Sequence, residues 1–153
     1  MRAGYIQTSP RFGEKQYNLD QVADLARGIQ ADLIVLPELF VTGYAFTSVE
    51  ETARLAEPAE GPTCRFLQDL AASANALVVA GFAEEAEGKL FNSSMLVDSG
   101  GLIGVYRKLH LFNRENLWFS PGDQTPRVYD AGGFRIGMMI VTKGGSLMLV
   151  PFL

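Results

Sequence analysis

The residues Leu33-Ile34-Val35-Leu36 form an unbroken apolar run that stops at Pro37 and is followed at once by Glu38. A run of strand length with no polar member suits a strand buried on both faces, since a half-solvated strand alternates apolar and polar, although a run this short leaves a helix open. Proline cannot donate to a β-ladder, so Pro37 ends the strand. A strand covered on both sides needs further layers above and below it, which favours an α/β domain. Glu38 then falls at the carboxyl end of that strand, where ligands of α/β proteins collect. Its plainer alternative is a solvated loop carboxylate.

The flanking sequence supplies those layers. Residues 2–7 read as a first strand. Asn18 is the expected N-cap of a helix running to about residue 30, because Leu19, Val22, Ala23, Leu25, Ala26 and Ile29 recur with helical period. Ser48 and Glu51 form the sequence signature of a capping box. Gly61-Pro62 opens a further helix to about residue 74, with Phe66, Leu67, Leu70, Ala71 and Ala74 as its buried stripe. Strand signals follow at 77–82 and 91–97, separated by a polar loop around Gly88, and at 102–106 after the turn Ser99-Gly100-Gly101. Residues 108–124 are irregular and close on the turn signal Pro121-Gly122. Residues 127–129 and 134–141, joined by Gly132-Gly133, predict a final hairpin. The order predicts an α/β fold with a mixed sheet, and 153 residues favour one domain. After residue 141 the pattern breaks. Thr142-Lys143-Gly144-Gly145-Ser146 has neither period, and Leu147-Met148-Leu149-Val150-Pro151-Phe152-Leu153 is an apolar ending expected to face water or pack irregularly.

Composition narrows the function classes. A formal net charge of −4 argues against nucleic-acid or acidic-membrane partners, which require a clustered basic face. The densest basic spot, Arg107-Lys108 with His110 and Arg114 nearby, is too short to outweigh that background. No apolar run approaches a membrane span, and the N-terminus carries no signal-peptide core. Cys64 is the single cysteine, so no internal disulfide forms and a cytoplasmic setting is the simplest expectation. His110 is the single histidine, which excludes multi-histidine metal sites. It reads as a structural or supporting residue and not as a base. Cys64 lies in the Gly61-Pro62 helix with nothing local to lower its pKa, and reads as a structural thiol. Neither a G-x-G-x-x-G fingerprint nor a P-loop occurs, which disfavours a nucleotide-binding domain. Taken singly, Lys108 and Glu115 are expected to be solvated charges.

Taken in order, several stretches resemble the nitrilase superfamily of carbon–nitrogen hydrolases, in its amidase-like branch. They are Leu33-Ile34-Val35-Leu36-Pro37-Glu38, then Tyr106-Arg107-Lys108-Leu109-His110-Leu111, then Phe134-Arg135-Ile136-Gly137-Met138-Met139-Ile140. Ala80-Gly81-Phe82, Phe91-Asn92-Ser93-Ser94 and Phe119-Ser120-Pro121-Gly122 support them. The resemblance covers residues 1–140, the N-terminal half of a family domain, and implies an incomplete α-β-β-α sandwich whose C-terminal half is missing. It also implies roles. Glu38 falls on the family's general base, Lys108 on the lysine that stabilises charge building on the substrate, and Glu115 on a second glutamate that positions substrate and lysine. A cysteine thiolate attacks an amide or nitrile carbon, an amine or ammonia leaves, and water hydrolyses the thioester. The implied substrate is a small amide, nitrile or carbamoyl-amine. No metal or organic cofactor is implied, and the intact family fold is expected to form homo-oligomers.

One departure governs the expected activity. In the family the strand matched by 134–140 runs directly into the nucleophilic cysteine, and Val141 occupies that position here. Residues 141–153 are therefore expected to be an atypical tail, frameshifted or truncated, and the chain to be inactive in this form. The alternative is a non-catalytic fragment serving as a binding or dimerisation module.

Overall fold

The computed structural model describes residues 1–141 throughout and the backbone of residues 147–152. Its first sheet has five strands: β1 (Ala3–Tyr5), β2 (Leu33–Val35), β3 (Leu77–Ala86), β4 (Lys89–Asp98) and β5 (Gly101–Arg107), in that spatial order. β1, β2 and β3 are parallel, and β4 and β5 add antiparallel hairpins, giving the expected mixed sheet. Glu87 and Gly88, both at positive φ, make the tight turn between β3 and β4, the backbone that a two-residue hairpin loop requires.

The β2 run is covered on both faces, as its composition demanded. Ile34 and Leu36 pack with Val78, Ala80, Phe82, Met95 and Val97 against two helices, α1 (Lys15–Leu25) and α3 (Pro62–Ala74). Leu33 and Val35 face the other way, with Leu77, Val79, Leu96 and Tyr106. There they meet Ala131, Ile136, Met138 and Ile140 of a second sheet, made from β6 (Val128–Ala131), β7 (Phe134–Ile140) and β8 (Leu147–Phe152). The result is an α-β-β stack, three layers of the expected sandwich. None of the described helices is long and apolar enough to cross a membrane.

α3 spans the residues its sequence indicates, with Pro62 in its first turn and Leu67, Leu70 and Ala71 buried. The short helix α2 (Val49–Leu55) is capped by Ser48, whose side chain accepts from the Glu51 amide. The reciprocal arm shifts by one residue: Glu51 Oε2 accepts from the Thr47 amide and hydroxyl, both at 2.8 Å.

Two expectations are corrected. Asn18 does not cap α1 but lies inside it, 1% exposed, where its amide donates to the Arg11 and Val41 carbonyls and its Oδ1 accepts from the Arg11 amide. Asparagine suits helix starts because its side chain competes for backbone groups, and here that capacity ties the helix to two loops. Residues 147–152, expected to stay outside regular structure, pair antiparallel with β7 as β8. The run 147–150 has the same unbroken apolar character as 33–36, and strand pairing satisfies its backbone. Residues 142–146 and 153 lie outside the described set.

A half-buried ion pair fastens α3 to α1. Glu57 Oε1 accepts from Lys15 Nζ and Glu57 Oε2 from the Thr63 amide, both at 2.8 Å. Burial pushes the Glu57 carboxyl up, but Lys15 and the Thr63 amide outweigh it and hold its pKa below the ordinary carboxylate value. A carboxyl lowered in the folded state contributes stability above its unfolded pKa and loses it as pH falls through the folded value. Glu57→Gln is therefore expected to cost about 1–3 kcal/mol at pH 7. The deficit should shrink below about pH 4.5. Urea titrations of both proteins across pH 3–7 check this; a deficit that persists undiminished in acid contradicts it.

Candidate active site

Glu38 lies just beyond β2, on a loop whose path is set by β3. The Gly81 amide donates to the Pro37 carbonyl at 3.2 Å, and the Phe40 amide donates to the Gly81 carbonyl at 3.3 Å. The loop lies so close to the strand that a Cβ on residue 81 would sit 2.5 Å from Glu38 Cα. Leu39 then takes a left-handed backbone (φ 49°) although only 1% exposed. That conformation costs a non-glycine residue on the order of 1–2 kcal/mol and turns the chain so that Glu38 stays under the sheet end.

Lys108 follows β5 and is 3% exposed. Its ammonium lies 2.9 Å from Glu38 Oε1, across 70 positions of sequence. On its other side it meets Glu115, at 3.0 Å to Oε1 and 2.9 Å to Oε2. Glu115 belongs to a 3-10 turn (Asn113–Leu117), and its Oε2 accepts from the Phe112 amide at 2.6 Å, which holds the carboxylate over the lysine. The structure thus brings Glu38, Lys108 and Glu115 into one cluster. Val141 is half-buried, immediately past β7.

The cluster opens into a cavity of about 380 Å³ lined by Leu39, Tyr44, Phe46, Phe112, Trp118 and Phe119 beside the charged groups. Phe46 stacks edge-on between Phe12 and Phe119, at centroid distances of 5.3 and 5.5 Å, which stiffens that wall. Tyr44 reaches Glu38. Burial first, then the Glu38 charge and a hydrogen bond to it, and lastly the Glu115 charge, hold its phenol far above the usual range. It stays a neutral hydrogen-bond donor at the mouth of the site. The lysine can hold a developing negative charge and a glutamate can take up a proton, in a cavity with aromatic walls. Among the described residues no cluster of His, Cys, Asp and Glu has the makings of a metal site.

Other candidates fall elsewhere. His110 is exposed and does not line the cavity. Cys64 is buried in α3 against the sheet, and burial first, with the Glu60 charge, pushes its thiol up while Arg65 pulls the other way. It does not line the cavity. The short basic stretch turns inward: Arg107 forms a two-pronged contact with Glu84, at 3.0 and 2.8 Å, while Lys108 is buried. Sequence reasoning attached no role to Tyr44 or to Asn92, whose amide contacts both glutamates. The available signal for Asn92 was a polar run, Asn92-Ser93-Ser94, inside an otherwise apolar strand.

The three-layer α-β-β stack superposes on solved structures of a known group of hydrolases. The chain belongs to the carbon–nitrogen hydrolase family, whose model matches residues 2–146. It is 41% identical over 144 residues to a nitrilase of Pyrococcus abyssi, covering 92% of this chain and 55% of that protein. It is 35% identical over 142 residues to an (R)-stereoselective amidase of Pseudomonas sp., covering 92% and 51%. The crystal structure of a carbon–nitrogen hydrolase from Helicobacter pylori G27 superposes with a TM-score of 0.80 at 26% identity, over 92% of this chain and 51% of that one. An amidase from Nesterenkonia sp. gives a TM-score of 0.75 at 27% identity, over 92% and 55%. The chain spans about half the length of these relatives.

Proposed function

We propose that this chain carries the acid–base half of a thiol-dependent amidase or nitrilase site, directed at a small amide, nitrile or carbamoyl-amine, and is inactive in this form. The observation that carries the reading is the buried Lys108 ammonium held between Glu38 and Glu115. In such a site Glu38 takes the proton from a thiol, and the resulting thiolate attacks the substrate carbon. Lys108 stabilises the charge that moves onto the substrate heteroatom, and Glu115 keeps the lysine in place. From an amide or carbamoyl-amine, ammonia or an amine departs with a proton; the thioimidate formed from a nitrile first adds water and then loses ammonia; a further water cleaves the resulting thioester. Glu38 Oε1 is engaged by Lys108, whereas its buried Oε2 has no hydrogen-bond partner among the described residues, leaving lone pairs for an incoming proton.

The inactive reading rests on residue 141. Valine there offers no nucleophile, and Cys64 is packed in another layer with its thiol pushed up. The purified 153-residue chain is expected to release no ammonia above blank from simple amides, nitriles or carbamoyl-amines. Turnover that disappears in Glu38→Ala would overturn the inactive reading. A positive test uses Val141→Cys. If position 141 faces the Glu38–Lys108 pair, its thiol should react with iodoacetamide at pH 7 roughly ten-fold faster than Cys64, because nearby cationic and basic groups raise the thiolate fraction. The advantage should fall in Glu38→Gln. Equal rates at the two thiols would sink the assignment. A second reading, a binding module, draws on the cavity, whose aromatic walls and charged floor persist without a nucleophile. Saturable binding of a small amide to the unmodified chain would favour it.

A further inference from the structure

Asn92 touches all three charged residues of the cluster. It lies on β4, is 0% exposed, and its main-chain carbonyl accepts from the Lys108 backbone amide at 2.9 Å. Its Nδ2 donates to Glu38 Oε1 at 2.6 Å and to Glu115 Oε1 at 2.8 Å. Both partners are acceptors when ionised, so the orientation of the amide is fixed: only the NH2 end satisfies two carboxylates at once. These oxygens are also the ones Lys108 approaches. Two glutamates around one ammonium leave a net negative charge, and the carboxylates repel each other. A neutral donor with two N–H bonds, one for each, offsets that repulsion without adding a charge.

We propose that Asn92 is a positioning residue, which joins Glu38 to Glu115 through its two amide hydrogens while its main-chain carbonyl holds the Lys108 backbone, and so keeps Glu38 Oε2, which has no hydrogen-bond partner among the described residues, available for the proton transfer. This inference rests on the function proposed above, and it assigns a task that lysine and the glutamates cannot perform for themselves. A serine or threonine in its place offers one hydrogen and reaches one carboxylate. An aspartate offers none when ionised and adds a third negative charge. Tyr44 also faces Glu38, from the cavity side, and Arg114 lines the same cavity.

The test has a spectroscopic arm and a reactivity arm. In 15N-labelled protein the two side-chain amide protons of Asn92 should resonate as a separated, slowly exchanging pair. Glu38→Gln should move one of them and Glu115→Gln the other. If neither substitution moves either proton, or each moves both equally, the bridge is refuted. The reactivity arm uses the Val141→Cys protein and adds Asn92→Ser, which keeps one donor, and Asn92→Asp. Each should lower the rate of iodoacetamide modification at position 141 by roughly ten-fold, with Asn92→Asp the slower and the modification of Cys64 unchanged. Normal rates at position 141 in both variants, with folding intact by circular dichroism, overturn the positioning role. Should Val141→Cys itself show no enhanced reactivity, the functional reading has failed, and Asn92 is judged on the Lys108 ammonium signal. Its disappearance in Asn92→Ser supports positioning; its persistence overturns it.

Discussion

Lys108→Met is expected to destabilise the protein by about 3–5 kcal/mol at neutral pH, the loss seen when one member of a buried ion pair is removed. Lys108 and Glu38 are 3% and 1% exposed, so neither charge can recover its hydration when its partner goes. Without the ammonium, Glu38 and Glu115 confront each other across Asn92 with no cation between them. The double variant Glu38→Gln/Lys108→Met removes the stranded charge together with its partner. It should recover a substantial part of the loss, because a neutral amide in that place can still accept from Asn92. Chemical denaturation of the four proteins of this cycle gives the coupling directly. A Lys108→Met protein within about 1 kcal/mol of wild type would mean that water reaches the cluster and that the pair is in effect a surface one.

Gly81→Ala is expected to act through the backbone. The added Cβ would lie 2.5 Å from Glu38 Cα, 2.9 Å from the Leu39 nitrogen and 3.1 Å from the Glu38 carbonyl carbon. None of these is the free end of a flexible side chain, so the loop must lift off β3. That breaks the hydrogen bonds between Gly81 and residues 37 and 40. Over-packing of this kind costs typically 1–3 kcal/mol, and the lost backbone bonds place Gly81→Ala at the upper end. The consequence specific to this site is that Glu38 moves while Lys108 does not, so the Lys108–Glu38 contact of 2.9 Å should lengthen. Thermal denaturation measures the first effect and a crystal structure of the variant the second. An unchanged melting temperature with an unmoved Glu38 would show that the loop has slack.

How much of this was readable in the residues depends on how local each cause is. The strand at 33–36 was legible because covering both faces leaves an unbroken apolar run. α3 was legible because Pro62 and a single stripe act within a few turns. Asn18 misled because the chemistry that caps a helix also ties loops to its middle, and only tertiary packing chooses between the two. Glu38, Lys108 and Glu115 could be singled out by family resemblance, yet nothing along the chain brings them together. Their convergence depends on sheet order and on a 3-10 turn whose sequence is irregular. Asn92 was quoted within a motif without a task, since its value lies in facing two residues 54 and 23 positions away. Gly81 was quoted likewise. What it contributes is the absence of a side chain, a quality visible only once the neighbouring backbone is in place.

The five strands of the first sheet lie in space in the order in which they occur along the chain. A chain emerging from its N-terminus can therefore lengthen this sheet by laying each new strand against the one before, with no earlier pairing to undo. The charged cluster runs on a different clock. Glu38 is synthesised long before Lys108 and Glu115, and until they arrive its carboxylate has no cation to accompany it out of water. The end of the sheet that holds Glu38 can be completed only when the segment after β5 supplies Lys108 and Glu115. Assembly of the site is in this sense the latch on the first domain-sized unit that the chain can form.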